Sequence, residues 1–205
     1  MAPAIEIVSW VASDAYLQDK SIVEGGVKFV LGVKGVLQVW SGLQIEKSRL
    51  FMVTVWDSIE SHKALEADKE QYGKSLGLLG PTMAANPEVE LYHAELDEDY
   101  PAAFNSPTVE FALITPTEEG ATVETFKTLL AKLKVEAYKD TCTVLALSWG
   151  TIVEKPQTLL GVVGWKSIEA HHEEVKSGGF ADVGKQFGAK GKIEFAHVHL
   201  APGSK

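Results

Sequence analysis

The chain carries WDSIESH at residues 56–62 and repeats it as WKSIEAH at residues 165–171. The flanking sequence repeats in the same order: IEI at 5–7 matches VEF at 109–111, and VELYH at 89–93 matches IEFAH at 193–197. Three matched pairs in one order indicate a duplicated unit of roughly 100 residues, which is an ordinary domain size and too long for a solenoid repeat. The fold is therefore encoded twice.

The composition is that of a globular protein. With 205 residues, 45% of them hydrophobic and 23% charged, the chain can bury one large core or two small ones. A net charge of −9 at pH 7 disfavours nucleic acids and anionic membrane surfaces as partners, because both bind clustered Lys and Arg. The sequence has neither a basic and apolar leader nor the ~20 apolar residues of a spanning helix. We therefore expect a cytoplasmic protein.

Each half predicts the same order of elements. The second half shows it best, because a β-branched run at 109–114 predicts a strand and Thr122 is placed to cap a helix with Phe126 and Leu129 at helical spacing. The other strands are predicted at 5–11, 35–45, 50–56, 89–96, 143–153, 158–165 and 193–200. Strand, helix, two strands, helix, strand is the ferredoxin-like order, βαββαβ.

Two details of the helices are also predicted. Ser58 and Ser167 follow the repeated tryptophans and are placed to cap the second helix of each half. The first helix of the first half, about residues 19–33, contains Gly25 and Gly26. Glycine costs about 1 kcal/mol relative to alanine inside a helix, so we expect this helix to be looser or bent there.

Neither alternating face of the strand at 50–56 is polar, although the helices of such a unit cover only one face of its sheet. We expect the other face to pack on the sheet of the second half. The predicted fold class is thus α+β, with two ferredoxin-like repeats forming an intramolecular α+β barrel. The predicted boundaries are 1–98 for the first repeat, 99–107 for a linker and 108–205 for the second. A monomer with an internal pseudo-dimer follows, with further homo-oligomers left open.

A hairpin that ends in tryptophan, followed by Ser-Ile-Glu-x-His at the start of the next helix, resembles the dimeric α+β barrel superfamily. The resemblance is strongest to its antibiotic biosynthesis monooxygenase branch, here as a tandem fusion, and it covers nearly all of the chain except the linker and the tails. It implies one pocket per unit between the sheet and the helices. It also implies oxidation of a small aromatic or enolisable hydrophobic molecule without metal or flavin, because the substrate carbanion itself activates oxygen. On that ground we expect no cofactor.

The resemblance requires a base, and His62 and His171 are the candidates because imidazole titrates near physiological pH. Tyr72 is a third catalytic candidate, because it comes after His62 in the same predicted helical segment and can supply a hydroxyl group. The second half has Phe180 in the corresponding stretch, so the first pocket is the favoured active one. The predicted substrate-binding residues are Trp56, Trp165, Trp10, Phe180, His93 and His197.

Structural roles could explain the same residues. A tryptophan that closes a strand often belongs to the core, and a histidine in a last strand can have its hydrogen bonds satisfied within the sheet. Adjacent His171 and His172 point in different directions on a helix, and His197 and His199 lack a third ligand, so we predict no metal site. Two function classes stay open. One is a monooxygenase, or a cyclase or isomerase on the same scaffold; the other is a non-catalytic protein that binds a hydrophobic ligand or has a stress-related role.

Overall fold

The computed structural model describes residues 3–97, 99–117, 119, 121–139 and 142–204. Within these residues the fold is mixed α+β, with eight strands and eight α-helices. The strands are β1 (Ala4–Val11), β2 (Val36–Gln44), β3 (Arg49–Trp56), β4 (Glu90–Leu96), β5 (Thr108–Pro116), β6 (Val144–Ile152), β7 (Leu159–Trp165) and β8 (Gly191–Pro202). The helices are α1 (Asp14–Gln18), α2 (Glu24–Leu31), α3 (Ile59–Ala67), α4 (Lys69–Leu79), α5 (Tyr100–Phe104), α6 (Val123–Ala137), α7 (Ile168–Glu174) and α8 (Gly178–Lys190).

The chain divides into two compact units. Unit 1 comprises Met1–His93 together with Ala201–Lys205, and unit 2 comprises Ala94–Leu200. Both divisions fall inside strands, because β4 and β8 each contribute residues to both units. The units are therefore not divided at the predicted linker, residues 99–107. These residues contain helix α5 and belong to unit 2.

Unit 1 is built on an antiparallel sheet in which β3 lies between β1 and β2. Both faces of β3 are buried, as its apolar alternation predicts. Helix α2 packs on α4, and a Cβ atom at Gly26 would overlap the side chain of Leu79. The predicted helix at 19–33 is divided into a 3-10 turn, Lys20–Val23, and α2, whose first turn carries Gly25 and Gly26. Of these two, only Gly26 is required by the packing on Leu79.

Unit 2 has the strand order β8-β5-β7-β6, with all neighbours antiparallel. Helix α6 begins with a capping box in which Thr122 and Thr125 exchange hydrogen bonds, so the predicted cap at Thr122 is confirmed. Phe126 of α6 packs on Phe187 of α8, with ring centroids 5.6 Å apart. Helix α5 contacts β6 and β7 and adds the fully buried Phe104 to the core.

Among the described residues, no helix combines the length and the apolar character that crossing a membrane requires. Ser58 and Ser167 cap α3 and α7 as predicted, each accepting a hydrogen bond from a backbone N–H three residues on. That the two units are ferredoxin-like repeats closing one barrel stays a prediction from the sequence.

Candidate functional site

Each unit buries one cluster of four side chains, which we call the tetrad. It combines a glutamate from the first strand of the unit, the tryptophan that ends the third, the histidine of the following helix and a histidine from the last strand. The tetrad of unit 1 is Glu6, Trp56, His62 and His93, and that of unit 2 is Glu110, Trp165, His171 and His197. All eight side chains are buried.

Strand register brings the glutamate and the tryptophan together. In unit 1 Ala4 pairs with Trp56 and Glu6 pairs with Thr54, so Glu6 and Trp56 are diagonal neighbours on one face of the sheet. Unit 2 repeats this register, because Thr108 pairs with Trp165 and Glu110 pairs with Val163. The same sequence spacing therefore produces the same contact twice.

The capped helix start brings the first histidine to the tryptophan. Ser58 fixes the first turn of α3, and His62 follows four residues later with its ring centroid 5.0 Å from that of Trp56. In unit 2 the cap at Ser167 places His171 with its centroid 4.8 Å from that of Trp165. Each imidazole thus lies over the indole and beside the glutamate.

A tight turn supports the start of α3 in unit 1. Gly35 has a φ of +91°, and a Cβ atom there would overlap the side chain of Ser61, so glycine suits both the backbone and the space. The Asp57 backbone N–H donates to the Gly35 carbonyl at 2.8 Å, and the Ser61 hydroxyl donates to Asp57 Oδ1 at 2.6 Å. The Ser61 hydrogen bond is the main cause that lowers the pKa of Asp57.

In unit 1 the tetrad forms a chain of contacts. Trp56 Nε1 donates to Glu6 Oε2 at 2.8 Å, and His62 Nε2 lies 3.6 Å from Glu6 Oε1. The other ring nitrogen of His62, Nδ1, is hydrogen-bonded to His93 Nε2 at 2.8 Å. Both nitrogens of His62 are thus engaged, one by the carboxylate and one by the second histidine.

In unit 2 the contacts converge instead. Trp165 Nε1 donates to Glu110 Oε2 at 2.8 Å. The Nε2 atoms of His171 and His197 lie 3.5 Å and 3.7 Å from that same carboxylate oxygen. The two imidazole rings are 4.7 Å apart between centroids. One carboxylate oxygen therefore faces an indole N–H and two imidazole nitrogens.

This arrangement suits proton transfer. A buried carboxylate beside a histidine orients the imidazole and stabilises the imidazolium that forms when the ring accepts a proton, which is the role of the carboxylate in acyl-transfer triads. The indole N–H fixes the carboxylate itself. His171 is consequently a positioned base wherever an acidic C–H or O–H group can reach it.

A cavity of about 100 Å³ in unit 2 reaches that base. Glu110 and His171 form its polar end, and the rest of its wall is aliphatic and aromatic, including Leu130, Phe180 and Phe187. Gly184 of α8 also lines it, with no atom within 4 Å of the position that a Cβ would take. An apolar cavity of about 150 Å³ in another protein binds benzene, so this smaller one can hold a single ring at most.

The structure places the remaining predicted site residues as follows. Phe180 lines the cavity and meets the Trp165 ring edge-on at 5.5 Å. Trp10 lies in the core of unit 1 and donates Nε1 to Thr82 Oγ1 at 3.1 Å. Tyr72 lies half-buried in α4, and no contact found between described residues joins it to the tetrad. The sequence favoured the first pocket, whereas the cavity described here borders the tetrad of unit 2.

Sequence reasoning missed Glu6 and Glu110. Their signal was present, because each is a charged residue in the middle of an apolar strand and each lies in a repeated segment. A charge at such a position is rarely buried unless it is paired. The repeated glutamate therefore indicates a buried hydrogen-bond partner, and the strand register places the tryptophan of each unit beside it.

No protein-family model matches the chain, and no curated protein matches its sequence. Its structure is similar to that of a proposed monooxygenase from Fusobacterium nucleatum, with a TM-score of 0.71 and 14% identity over 100% of this chain and 95% of that one. A proposed monooxygenase from Lactobacillus acidophilus gives 0.66 and 12% over 100% and 97%. An anthrone oxidase-like protein gives 0.68 and 12% over 98% and 94%.

The fold is similar to that of these three proteins. At such low identity the likeness extends to the fold alone, and one fold of this kind can support several chemistries. The function of this chain therefore has to be argued from the tetrads and the cavity.

Proposed function

We propose that the chain is a cofactor-independent monooxygenase-like protein that acts on a small aromatic or enolisable hydrophobic substrate. It removes a proton from the substrate, and the resulting carbanion reacts directly with oxygen. The observation that carries this proposal is the apolar cavity of unit 2, whose polar end consists of Glu110 and His171. The similarity in fold to an anthrone oxidase-like protein agrees with it.

Substrate binding uses the apolar wall. Burial of a ring against Leu130, Phe180 and Phe187 gains roughly 25 cal/mol for each Å² of apolar surface removed from water. The cavity size selects one ring or an enolisable compound of similar size. The acidic C–H group of the substrate then lies toward His171, because that end alone offers polar groups.

The chemical step begins at His171. Its imidazole accepts the C–H proton, and Glu110 stabilises the imidazolium. The electron pair left on carbon adds to oxygen to give a hydroperoxide after proton return. Loss of water then leaves a carbonyl, so that a CH₂ group and O₂ become C=O and H₂O. Trp165 holds Glu110 through its indole N–H, so its role in this step is to position the carboxylate.

One observation favours the second function class, a protein that binds a hydrophobic ligand without turnover. Among the described residues that line the cavity, only Glu110 and His171 have polar side chains. An oxyanion formed in the cavity would be better stabilised by further donors. A cyclase or isomerase on the same scaffold would need the same base but no oxygen.

Oxygen uptake with 1,3-cyclohexanedione, a one-ring compound with an acidic CH₂ group, tests the proposal, with anaerobic incubation as the blank. His171→Ala should lower turnover by about 10²-fold or more, because a positioned general base contributes 10²–10⁴-fold. His62→Ala is the matched control, since it removes the equivalent residue of unit 1 and leaves the cavity of unit 2 intact. Uptake that survives His171→Ala removes the proposed base. Displacement of a hydrophobic dye by aromatic compounds without any uptake would instead support the binding protein.

A further inference from the structure

The tetrad of unit 2 brings three metal-ligating atoms together. One ligand atom from each of Glu110, His171 and His197 lies within 4.8 Å of the other two. The two contacts to the carboxylate oxygen are 3.5 Å and 3.7 Å. Zinc binds such donors at about 2.0–2.1 Å in tetrahedral geometry, which separates the donors by roughly 3.4 Å. The two nitrogen-to-oxygen distances are therefore within a few tenths of an ångström of those in a zinc site, and the two histidine nitrogens are close enough for ring movements to complete its three corners.

We propose that Glu110, His171 and His197 bind a divalent transition-metal ion, with Zn²⁺ as the ion that the donors and their spacing fit best. Two imidazoles and one carboxylate form a set that is known from catalytic zinc centres, in which the fourth position stays open. Glu110 and His171 line the cavity, so a donor atom from the cavity can occupy that fourth position.

The surroundings of the three ligands support the site. Trp165 donates its indole N–H to Glu110 Oε2 at 2.8 Å, and a carboxylate oxygen has a second lone pair for an ion. Hydrogen bonds of this kind orient the ligands of metal sites and add to affinity. The three side chains come from β5, α7 and β8, each fixed by sheet pairing or by a helix cap, so little ordering remains for the ion to impose.

Unit 1 contains the same residue types but a different geometry. The hydrogen bond between His62 Nδ1 and His93 Nε2, 2.8 Å long, lies between the two histidines and takes one nitrogen of each. An ion could bind only after this bond broke and the rings turned. We therefore infer one equivalent of tightly bound metal per chain, in unit 2.

A regulatory consequence rests on the proposed function. Glu110 faces Nε2 of His171, so the carboxylate holds the ring proton on that nitrogen and the substrate proton goes to Nδ1. A metal ion on Nε2 leaves the ring proton on Nδ1, so Nδ1 can no longer accept a proton from the substrate. Zinc therefore inhibits oxygenation, and a chelator restores it.

Isothermal titration calorimetry of the chelator-treated full chain with Zn²⁺ tests the site directly. We expect one equivalent to bind, and His197→Ala to weaken this binding by at least 100-fold. His93→Ala is the matched control, because it removes the equivalent histidine of unit 1 and should leave the affinity unchanged. A His197→Ala variant that binds zinc like the parent chain would overturn the proposal.

Exposed histidines need a second control. His172 and His199 both lie near Glu169 on the surface and could hold zinc by themselves. The double variant His172→Ala with His199→Ala should retain the tight equivalent. Loss of binding in this double variant, with retention in His197→Ala, would assign the ion to the surface and refute the buried site.

Co²⁺ gives a second test, because its visible spectrum depends on whether the protein's side chains coordinate the ion. If His197 only supported the fold, its loss would not change this spectrum. The visible absorption of Co²⁺ is intense in tetrahedral coordination and weak in water, so the bound ion reports its geometry. Glu110→Gln, which keeps the size and an acceptor for Trp165, should remove the tetrahedral spectrum. Calorimetry and this spectrum need no turnover, so absence of oxygenation would end the proposed function and leave the metal site to be decided by binding alone.

Discussion

At the scale of single residues, Glu110 is the member of its tetrad that the other three contact. It is 5% exposed, and a charge buried to this extent is tolerated only with partners. The indole of Trp165 is the shortest of its contacts. Because that N–H also orients the carboxylate toward His171, the tryptophan is a positioning residue as well as part of the core.

Trp165→Phe should destabilise the protein by about 1–3 kcal/mol beyond the packing loss, because the variant leaves Glu110 with one hydrogen bond fewer in a buried place. Urea unfolding measures this free energy. The control is the same substitution in a Glu110→Leu background, where no carboxylate remains to be satisfied. Equal costs in the two backgrounds would show that the hydrogen bond contributes nothing.

At the scale of elements, local signals were sufficient for most of the fold. The strands followed from apolar runs, and the helix starts from Thr122, Ser58 and Ser167, because caps and periodicity are written within a few residues. The division of the helix at 19–33 was less accessible. It depends on how closely α2 approaches α4, and a contact between Gly26 and Leu79 has no signal in the sequence around either.

Helix α5 lies in residues 99–107, for which composition predicts a linker. Acidic residues and prolines are typical of linkers, yet proline is also favoured in the first turn of a helix. Phe104 at the end of α5 is fully buried. The candidate site was found only in part for a similar reason, since the histidines and tryptophans lie in the repeated motif but their glutamate is joined to them by strand register.

Helix α8 offers a test of the cavity that leaves the tetrad untouched. Gly184 and Gly188 both have open space at the Cβ position, but only Gly184 lines the cavity. Leucine is a better helix former than glycine, so neither Gly184→Leu nor Gly188→Leu should destabilise α8. We expect Gly184→Leu to weaken the binding of a one-ring aromatic compound at least tenfold, as measured by dye displacement. Gly188→Leu should bind it unchanged, and an equal loss in both variants would exclude this cavity as the ligand site.

At the scale of the whole molecule, acid should unfold the chain through a small set of carboxylates. The Ser61 hydroxyl, the backbone N–H of Gln71 and the Lys134 ammonium are the main causes that lower the pKa values of Asp57, Asp68 and Asp99 respectively. A carboxylate whose pKa is lower in the folded state stabilises the fold above its unfolded pKa. This stabilisation is lost as the pH falls through the folded value.

The free energy of unfolding should accordingly fall between roughly pH 5 and pH 2. Ser61→Ala should make this fall shallower, because the pKa of Asp57 then moves back toward its unfolded value. Urea unfolding at several pH values measures the slope. In an Asp57→Asn background, Ser61→Ala should not change the slope further, and a further change there would assign the effect to another group.

Unit 1 takes in residues from Ala201 onward, and this has a consequence for how the protein is made. Gly203 donates its backbone N–H to the Val39 carbonyl at 2.8 Å and lies against Val27 and Leu31. A ribosome delivers these residues only after all of unit 2, which at 5–20 residues per second takes on the order of 5–20 s. Throughout that time the nascent first unit lacks the segment that lies against Val27 and Leu31, although every residue up to His93 has already been translated.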